Sequence, residues 1–199
     1  MKRLKTELRQ EQIIDEAISL IHSNGFSALS IRELGNQVGI SEAAIYRHFK
    51  SKDEIIKGII IRIHRLSEDL FISLDNIKQA DKKLKHFILY NMNLFTQFPA
   101  LVSIFMAEEI FEHNTTVSND LKLIIKKRHS TLLNIIDEGI MQGIFIDVES
   151  ETVAAMIQGY IRLTLLRWKR SNNNFSLIGT GEKFFKILQI LLNKNKKHN

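Results

Sequence analysis

The sequence contains no cysteine, one proline and nine glycines in 199 residues. The absence of cysteine excludes a disulfide framework, a thiol nucleophile and a thiolate metal site. The shortage of proline and glycine argues against a β-rich chain, because such a chain needs a turn signal about every 8–12 residues. The expected fold is therefore all-α.

Long apolar runs are also absent. The run at Ile59–Ile61 stops at Arg62, and the run at Leu163–Leu166 stops at Arg167, so neither approaches the roughly 18 residues of a membrane span. The first ten residues lack the apolar stretch of a secretory signal. Apolar residues make up 44% and charged residues 25%, as in a globular protein with a core. We expect a cytoplasmic protein with no membrane partner.

The net charge of +6 is concentrated at the C-terminus. Residues 162–199 carry nine Lys or Arg residues against one acidic residue. Such a run favours a solvated helix end and tail over a binding patch, although the sequence does not fix its role. Charge alone therefore does not locate a functional site.

Local signals mark the first helices. Apolar residues at helical spacing predict a helix over about residues 6–24, and Gly25 supplies the conformation that ends it. Ser30 and Glu33 form a capping box that opens a second helix, which Gly39 ends. Two further helix starts are marked in the same way, at Ser41 and at Ser51–Glu54.

The second and third helices are close enough to form a helix-turn-helix. They are joined by Val38–Ile40, and the pair spans only residues 30–49. In such a motif the second helix lies in the DNA major groove. Ala43 and Ala44 are small, which lets the backbone approach the duplex. Donors and a cation for phosphates follow at Tyr46, Arg47, His48 and Lys52.

These residues resemble the N-terminal signature of the TetR family of one-component regulators. The resemblance covers about residues 10–60, through Gly25-Phe26, residues 30–35, residues 38–49 and Lys52. It implies a homodimer of all-α subunits, each with a three-helix DNA-binding domain, a fourth linking helix and a helical domain for ligand binding and dimerisation. We place the helix-turn-helix domain at residues 1–50 and the linking helix with the C-terminal domain at residues 51–199.

The resemblance also implies roles for individual residues. Glu42 and Ala43 fall where family members read bases, but a common family pattern has a basic or hydroxyl residue and then glycine there. Glu42 therefore either accepts a hydrogen bond from a cytosine N4 amine or makes no contact. The expected phosphate contacts are Ser30, Arg32, Ser41, Tyr46, Arg47, His48 and Lys52.

Five more helices are expected in the C-terminal part, which brings the total to about nine. Asp81 is the expected cap of the first, and the others are expected near residues 100–112, 117–142, 151–171 and 181–193. The last two are expected to form the dimer interface, through Ile157, Ile161, Leu165, Trp168, Phe184, Ile187, Leu188 and Leu191. The expected ligand pocket comprises Phe71, Phe87, Asn91, Phe105, Met106, Met156 and Tyr160.

The leading hypothesis is a repressor that binds double-stranded operator DNA and is released by a small apolar or amphipathic effector of unknown identity. No Ser-His-acid set, paired-carboxylate site or Gly-rich phosphate loop supports an enzyme, and Gly179-Thr180-Gly181 lacks a third glycine. Glu109 and His113 have the spacing of half a metal site, but no second cluster matches them, so no metal or cofactor is expected. Two alternatives remain, a DNA-binding marker that recruits a non-transcriptional partner and a helical metal or ligand carrier.

Overall fold

The computed structural model describes residues 6–106 and 115–194. Within these ranges the chain forms nine α-helices, one 3₁₀ turn at Phe26–Ala28 and no strand beyond an isolated bridge between Phe145 and Asn193. This confirms the predicted all-α fold. The helices are α1 (Thr6–Asn24), α2 (Ile31–Val38), α3 (Glu42–Tyr46), α4 (Lys52–Asp75), α5 (Ala80–Gln97), α6 (Leu101–Met106), α7 (Thr115–Met141), α8 (Ser150–Arg170) and α9 (Leu177–Leu192).

The chain divides into two compact units. The first unit comprises the described parts of residues 1–65 and 100–122, and the second comprises those of residues 66–99 and 123–199. Helix α4 contributes residues to both units. The domain boundary expected between residues 50 and 51 lies inside the first compact unit. It concerns the division between DNA binding and ligand binding, and it stays a prediction.

The starts of the N-terminal helices follow the predicted caps. The Ser30 hydroxyl accepts a hydrogen bond from the Glu33 amide at 3.1 Å, and the Ser41 hydroxyl accepts one from the Ala44 amide at 3.2 Å. At α4 the Ser51 hydroxyl accepts from the amide of Glu54 at 3.2 Å. The Glu54 carboxylate accepts in turn from the amide of Lys50, at 2.6 Å. Local side-chain chemistry thus sets these three helix starts.

Two predicted helix starts in the second unit are wrong. Asp81 does not cap α5, because that helix begins at Ala80, whose amide donates to Gln142 Oε1 on the turn after α7 at 3.0 Å. Helix α9 begins at Leu177 with a Ser176 cap, so Gly179 and Gly181 lie inside it rather than before it.

Glycine is needed within α9 because α5 packs closely against it. A Cβ atom on Gly181 would lie 2.8 Å from Met92 Cγ on α5. Contacts of this length force side chains to move. The close packing of α5 against α9 therefore accounts for a glycine at this position, although glycine has a weak helix propensity.

The core of the first unit lies between α1, α2, α4 and α6. Ile13, Ala17 and Leu20 of α1 are fully buried. His22 at the end of α1 is partly buried, and its Nδ1 lies 3.0 Å from Ser103 Oγ on α6. Helix α6 is therefore part of the N-terminal unit despite its distance along the chain.

Candidate functional sites

The turn between α2 and α3 depends on two glycines. The Ile40 amide donates to the Gly35 carbonyl at 2.9 Å, and a Cβ atom on Gly35 would lie 2.9 Å from the Ile40 carbonyl oxygen. Gly39 ends α2 in the left-handed conformation, at φ 73° and ψ 34°. A side chain at Gly35 would clash with the Ile40 carbonyl, and a side chain at Gly39 would disfavour the left-handed conformation. The two glycines therefore determine the direction in which the chain passes from α2 to α3.

Helix α3 is anchored on one side and exposed on the other. Ile45 is fully buried and Phe49 is 7% exposed, whereas Tyr46 is 52% exposed. Glu42 and Ala43, at the start of the helix, are exposed as well. The exposed face therefore carries the two predicted base-reading residues and the predicted tyrosine.

Seven of the nine predicted DNA-binding residues are exposed. They are Ser30, Arg32, Ser41, Glu42, Ala43, Tyr46 and Arg47. Lys52 is partly buried, with its Nζ 5.3 Å from the centroid of the Phe26 ring. These positions are compatible with the predicted contacts, which stay predictions.

His48 is the second partly buried member of the predicted set. Its carbonyl accepts a hydrogen bond from Gln10 Nε2 of α1 at 3.0 Å. The Nδ1 atom of its ring is buried without a hydrogen-bond partner. A phosphate contact by this imidazole would therefore use Nε2.

Ion pairs join α4 to α1 within the first unit. Arg62 donates to Asp15 at 3.0 Å and also to Glu11, and Arg65 donates to Glu11 at 3.3 Å. A cleft of about 760 Å³ lies beside these residues. Its lining shares no residue with the predicted ligand pocket. The charged lining residues are Glu7, Glu11, Glu54, Lys57, Arg62 and Arg65.

The predicted ligand pocket is only partly supported by burial. Phe87 and Asn91 of α5 are each 3% exposed, and Phe71 of α4 is partly buried. Met156 is 57% exposed, so its inclusion as an interior lining residue is a correction. Tyr160 stacks on Phe184 with ring centroids 3.7 Å apart. Phe105 and Met106 are partly buried and belong to the first unit, whereas the other five belong to the second.

Most of the predicted dimer residues are buried inside the subunit, which corrects that set. Only Ile187 and Leu191 are exposed, at 54% and 52%. Helical periodicity identified the apolar stripe of each helix, but that stripe packs against its own subunit. The exposed apolar residues of α8 and α9 are Met156, Leu163, Ile178, Ile187, Ile190 and Leu191; the buried members of the predicted set are Ile157, Ile161, Leu165, Trp168, Phe184 and Leu188.

A polar cluster in the second unit was not predicted. Arg128 of α7 donates to Ser67 Oγ of α4 at 3.3 Å and to Asn91 Oδ1 of α5. Burial lowers the pKa of Arg128 to about 10, while the nearby Tyr90 acts in the opposite direction. The sequence did hold a signal for an inward-facing Arg128. Apolar residues stand four positions before and after it, at Ile124 and Leu132, and both are buried in the structure.

Two other polar side chains in the second unit, Tyr90 and His86, form hydrogen bonds between helices. The Tyr90 hydroxyl donates to the Leu66 carbonyl at 2.8 Å, and burial raises the pKa of Tyr90, as does the nearby Asp69. His86 Nε2 lies 2.7 Å from Ser73 Oγ, and burial lowers the pKa of this histidine. Both contacts join α5 to α4.

The described residues offer neither a metal cluster nor a membrane-spanning helix. Across residues 6–106 and 115–194 there is no group of three or more His, Asp or Glu side chains placed to hold a metal ion. The predicted half-site at Glu109 and His113 lies outside the described residues. Among the helices in those same ranges, none has the length and hydropathy required to span a membrane.

Comparison with known proteins relates the chain to regulators. Residues 13–59 match the profile of the family described as bacterial regulatory proteins, tetR family. Over 186 residues the chain is 27% identical to the nucleoid occlusion factor SlmA of Vibrio campbellii, covering 90% of this chain and 93% of the relative.

Two solved structures share the fold over nearly the whole chain. The ketosteroid transcriptional regulator KstR2 of Mycobacterium tuberculosis superposes with a TM-score of 0.80 at 18% identity, covering 94% of this chain and 96% of that one. The regulator FadR of Bacillus subtilis, solved in complex with stearoyl-CoA, superposes with a TM-score of 0.75 at 23% identity, covering 94% and 99%. Residues 13–59, which include the helix-turn-helix, thus match the tetR family of bacterial regulatory proteins, and the chain shares the fold of these two regulators.

Proposed function

We propose that the protein is a homodimeric transcriptional repressor that binds a two-fold-symmetric operator and is released from it by a small apolar or amphipathic ligand. The observation that carries the proposal is the exposed face of α3, held by buried Ile45 and Phe49 within the residues that match the tetR family. Such a protein acts in the cytoplasm and is a regulator rather than an enzyme.

The proposed DNA contacts divide by chemistry. Glu42 and Ala43 face the bases, and the phosphate contacts are the seven residues that the family resemblance implies. The Ser30 and Ser41 hydroxyls use their oxygens to accept from helix amides, which leaves the O–H of each free to donate to a phosphate. The exposure of these hydroxyls supports the proposal.

The proposed dimer interface is the exposed apolar surface of α8 and α9. Met156 and Leu163 on α8, with Ile187, Ile190 and Leu191 on α9, are each more than half exposed. Several large exposed apolar side chains on two helices are unfavourable in water when they form one surface, and such a surface is commonly covered by a partner. A second copy covers it symmetrically, because an isologous contact uses the same surface twice.

The ligand is proposed to bind within the second unit and to act through α4. This helix contributes residues to both units, and it is the proposed route by which the ligand acts. The stearoyl-CoA found with FadR and the ketosteroid in the name of KstR2 support an apolar or amphipathic effector. Linkage then requires operator DNA to weaken ligand binding by the factor with which ligand weakens DNA binding.

Selection from random DNA, followed by titration at several salt concentrations, tests the proposed function. We expect a two-fold site whose half-site centres lie ~34–36 Å apart, or a multiple of that distance. The logarithm of the affinity should fall with the logarithm of the salt concentration by about 0.9 per neutralised phosphate. Equal affinity for selected and random DNA at physiological salt would overturn the proposal.

A DNA-binding marker protein is the second candidate, because the matched SlmA is named as a nucleoid occlusion factor. A map of genomic binding sites separates the two functions. A repressor occupies few sites near promoters, whereas a marker occupies many sites spread along the chromosome.

A further inference from the structure

Arg128 is a cation whose hydrogen-bond partners are all neutral. Its guanidinium has five N–H donors, and the structure gives it two acceptors, Ser67 Oγ at 3.3 Å and Asn91 Oδ1. Among the side chains that the structure describes, no carboxylate forms an ion pair with it. Glu68 on α4 instead pairs with the adjacent Lys127, whose Nζ lies 2.8 Å from Glu68 Oε1.

The two acceptors are held in place. Asn91 is 3% exposed, and its Nδ2 donates to the Phe87 carbonyl at 2.7 Å, which turns Oδ1 toward Arg128. Ser67 is also 3% exposed. The Phe87 ring lies beside the guanidinium, with its centroid 6.0 Å from Cζ. A few fixed polar groups in apolar surroundings are characteristic of small-molecule sites.

The guanidinium stays charged in this setting. Burial lowers its pKa to about 10, which is still far above neutral pH. A desolvated cation is unfavourable unless an anion compensates it, and neutral hydrogen bonds replace only part of its hydration. Arg128 as a residue is partly rather than fully buried.

We infer that Arg128, with Asn91 and Ser67, binds an anionic oxygen group carried by the effector. The planar guanidinium fork matches a carboxylate or a phosphate in two-point geometry, and the apolar residues around it suit an acyl chain. The effector is then an amphiphile with an anionic head, rather than a neutral apolar molecule. This inference rests on the proposed ligand response and specifies the chemical class of the effector.

A purely structural role for Arg128 predicts something different. Arg128 joins α7 to α4 and α5, so it could simply hold these helices together. In that case its replacement lowers stability without discriminating between charged and neutral ligands. Replacing a buried charge with an apolar side chain of similar volume is often neutral or stabilising, which makes methionine an informative substitution.

The test compares the full-length parent with Arg128→Met, Arg128→Lys and the matched control Lys126→Met, which removes one exposed charge from the same helix. Calorimetric binding is measured with dodecanoate, dodecanoyl-CoA, coenzyme A and dodecanol. Operator release is followed by fluorescence anisotropy, and thermal unfolding reports the fold of each variant. Dodecanoate and coenzyme A distinguish a carboxylate from a phosphate as the anionic group.

We expect at least one anionic dodecyl probe to bind the parent and Lys126→Met alike, and to bind Arg128→Met roughly thirtyfold or more weakly. Arg128→Lys should fall between them, because it keeps the charge but loses the fork. Dodecanol should bind parent and Arg128→Met equally. The unfolding temperature of Arg128→Met should match or exceed that of the parent.

Three results would overturn the inference: no binding of either anionic dodecyl probe, equal binding of such a probe to parent and Arg128→Met, or an Arg128→Met loss shared by dodecanol. The proposed function fails separately. If an anionic probe binds through Arg128 but leaves operator affinity unchanged, the site stands and the effector response does not. If an anionic dodecyl probe releases the operator equally from parent and Arg128→Met, the ligand response stands and the inference fails.

Discussion

At the scale of single residues, the proposed interface separates contacts that give affinity from contacts that give specificity. Phosphate contacts act on every DNA sequence alike, whereas base contacts discriminate among them. Tyr46 is 52% exposed and Glu42 stands at the start of the same helix. Substitutions at these positions should therefore have different effects.

Tyr46→Phe should lower the affinity for selected and for random DNA by the same factor, roughly 2- to 10-fold, because one hydrogen bond contributes about 0.5–1.5 kcal/mol. Lys52→Ala should also lower both affinities, and it should reduce the slope of log affinity against log salt concentration by about one. The matched control is Lys57→Ala, which removes an exposed cation from the same helix. Fluorescence anisotropy over a salt series makes the measurement.

Glu42→Ala completes this experiment, with operator variants substituted at each position in turn. If Glu42 accepts from a cytosine amine, its removal should relax preference at one base pair by about 1–3 kcal/mol. An unchanged base preference would show that Glu42 makes no base contact.

At the scale of helices, the sequence was most informative where a structure is set locally. The starts of α2, α3 and α4 were predictable because Ser30, Ser41 and Ser51 each cap the amide three residues later. The expected start of α9 near residue 181 lies too far along the chain, because Ser176 caps a helix that runs through Gly179 and Gly181. The fit of Gly181 against α5 is a tertiary contact that no local pattern reveals.

The sites were less predictable than the helices. Periodicity identified the apolar stripes of α8 and α9, but it could not show that Ile157 and Leu165 face their own subunit. Arg128 was missed because it lies in a Lys126-Lys127-Arg128 run that reads as a solvated face. Its position between Ile124 and Leu132 shows that it turns inward, and the acceptors on α4 and α5 are visible only in three dimensions.

The crossing of α2 and α3 gives a prediction at this scale. Gly35→Ala would place a Cβ 2.9 Å from the Ile40 carbonyl, so the turn must shift, and we expect a loss of about 1–3 kcal/mol in stability. Operator affinity should fall as well, because the turn sets the direction of α3. Urea unfolding followed by circular dichroism measures the first effect.

The neighbouring substitution Asn36→Ala is the control, since Asn36 is exposed on the same helix. It should leave stability unchanged or raise it, because alanine has the higher helix propensity. Equal unfolding midpoints for the parent and Gly35→Ala would mean that the turn relaxes without cost.

At the scale of the whole molecule, the proposed dimer predicts that one charge disrupts two contacts. Leu163→Glu places a carboxylate on the exposed apolar surface of α8, and an isologous interface contains it twice. An unpaired buried charge costs about 3–5 kcal/mol, so the variant should sediment as a folded monomer at micromolar concentration.

Ile72→Glu is the control for this substitution, because Ile72 is 61% exposed on α4, outside the proposed interface. It should remain dimeric. A Leu163→Glu variant that sediments as a dimer would place the interface elsewhere.

The course of the chain between its two compact units limits how the protein can be taken apart. The chain leaves the first unit within α4, returns to it for α6 and leaves it again before residue 123. Helix α6 also supplies Ser103 to His22 of α1. An isolated fragment of residues 1–50 would lack that support, and so would a chimera in which those residues alone are exchanged with a relative. The parts proposed to bind DNA and ligand are therefore interleaved along one polypeptide, and no single cut in the chain separates them.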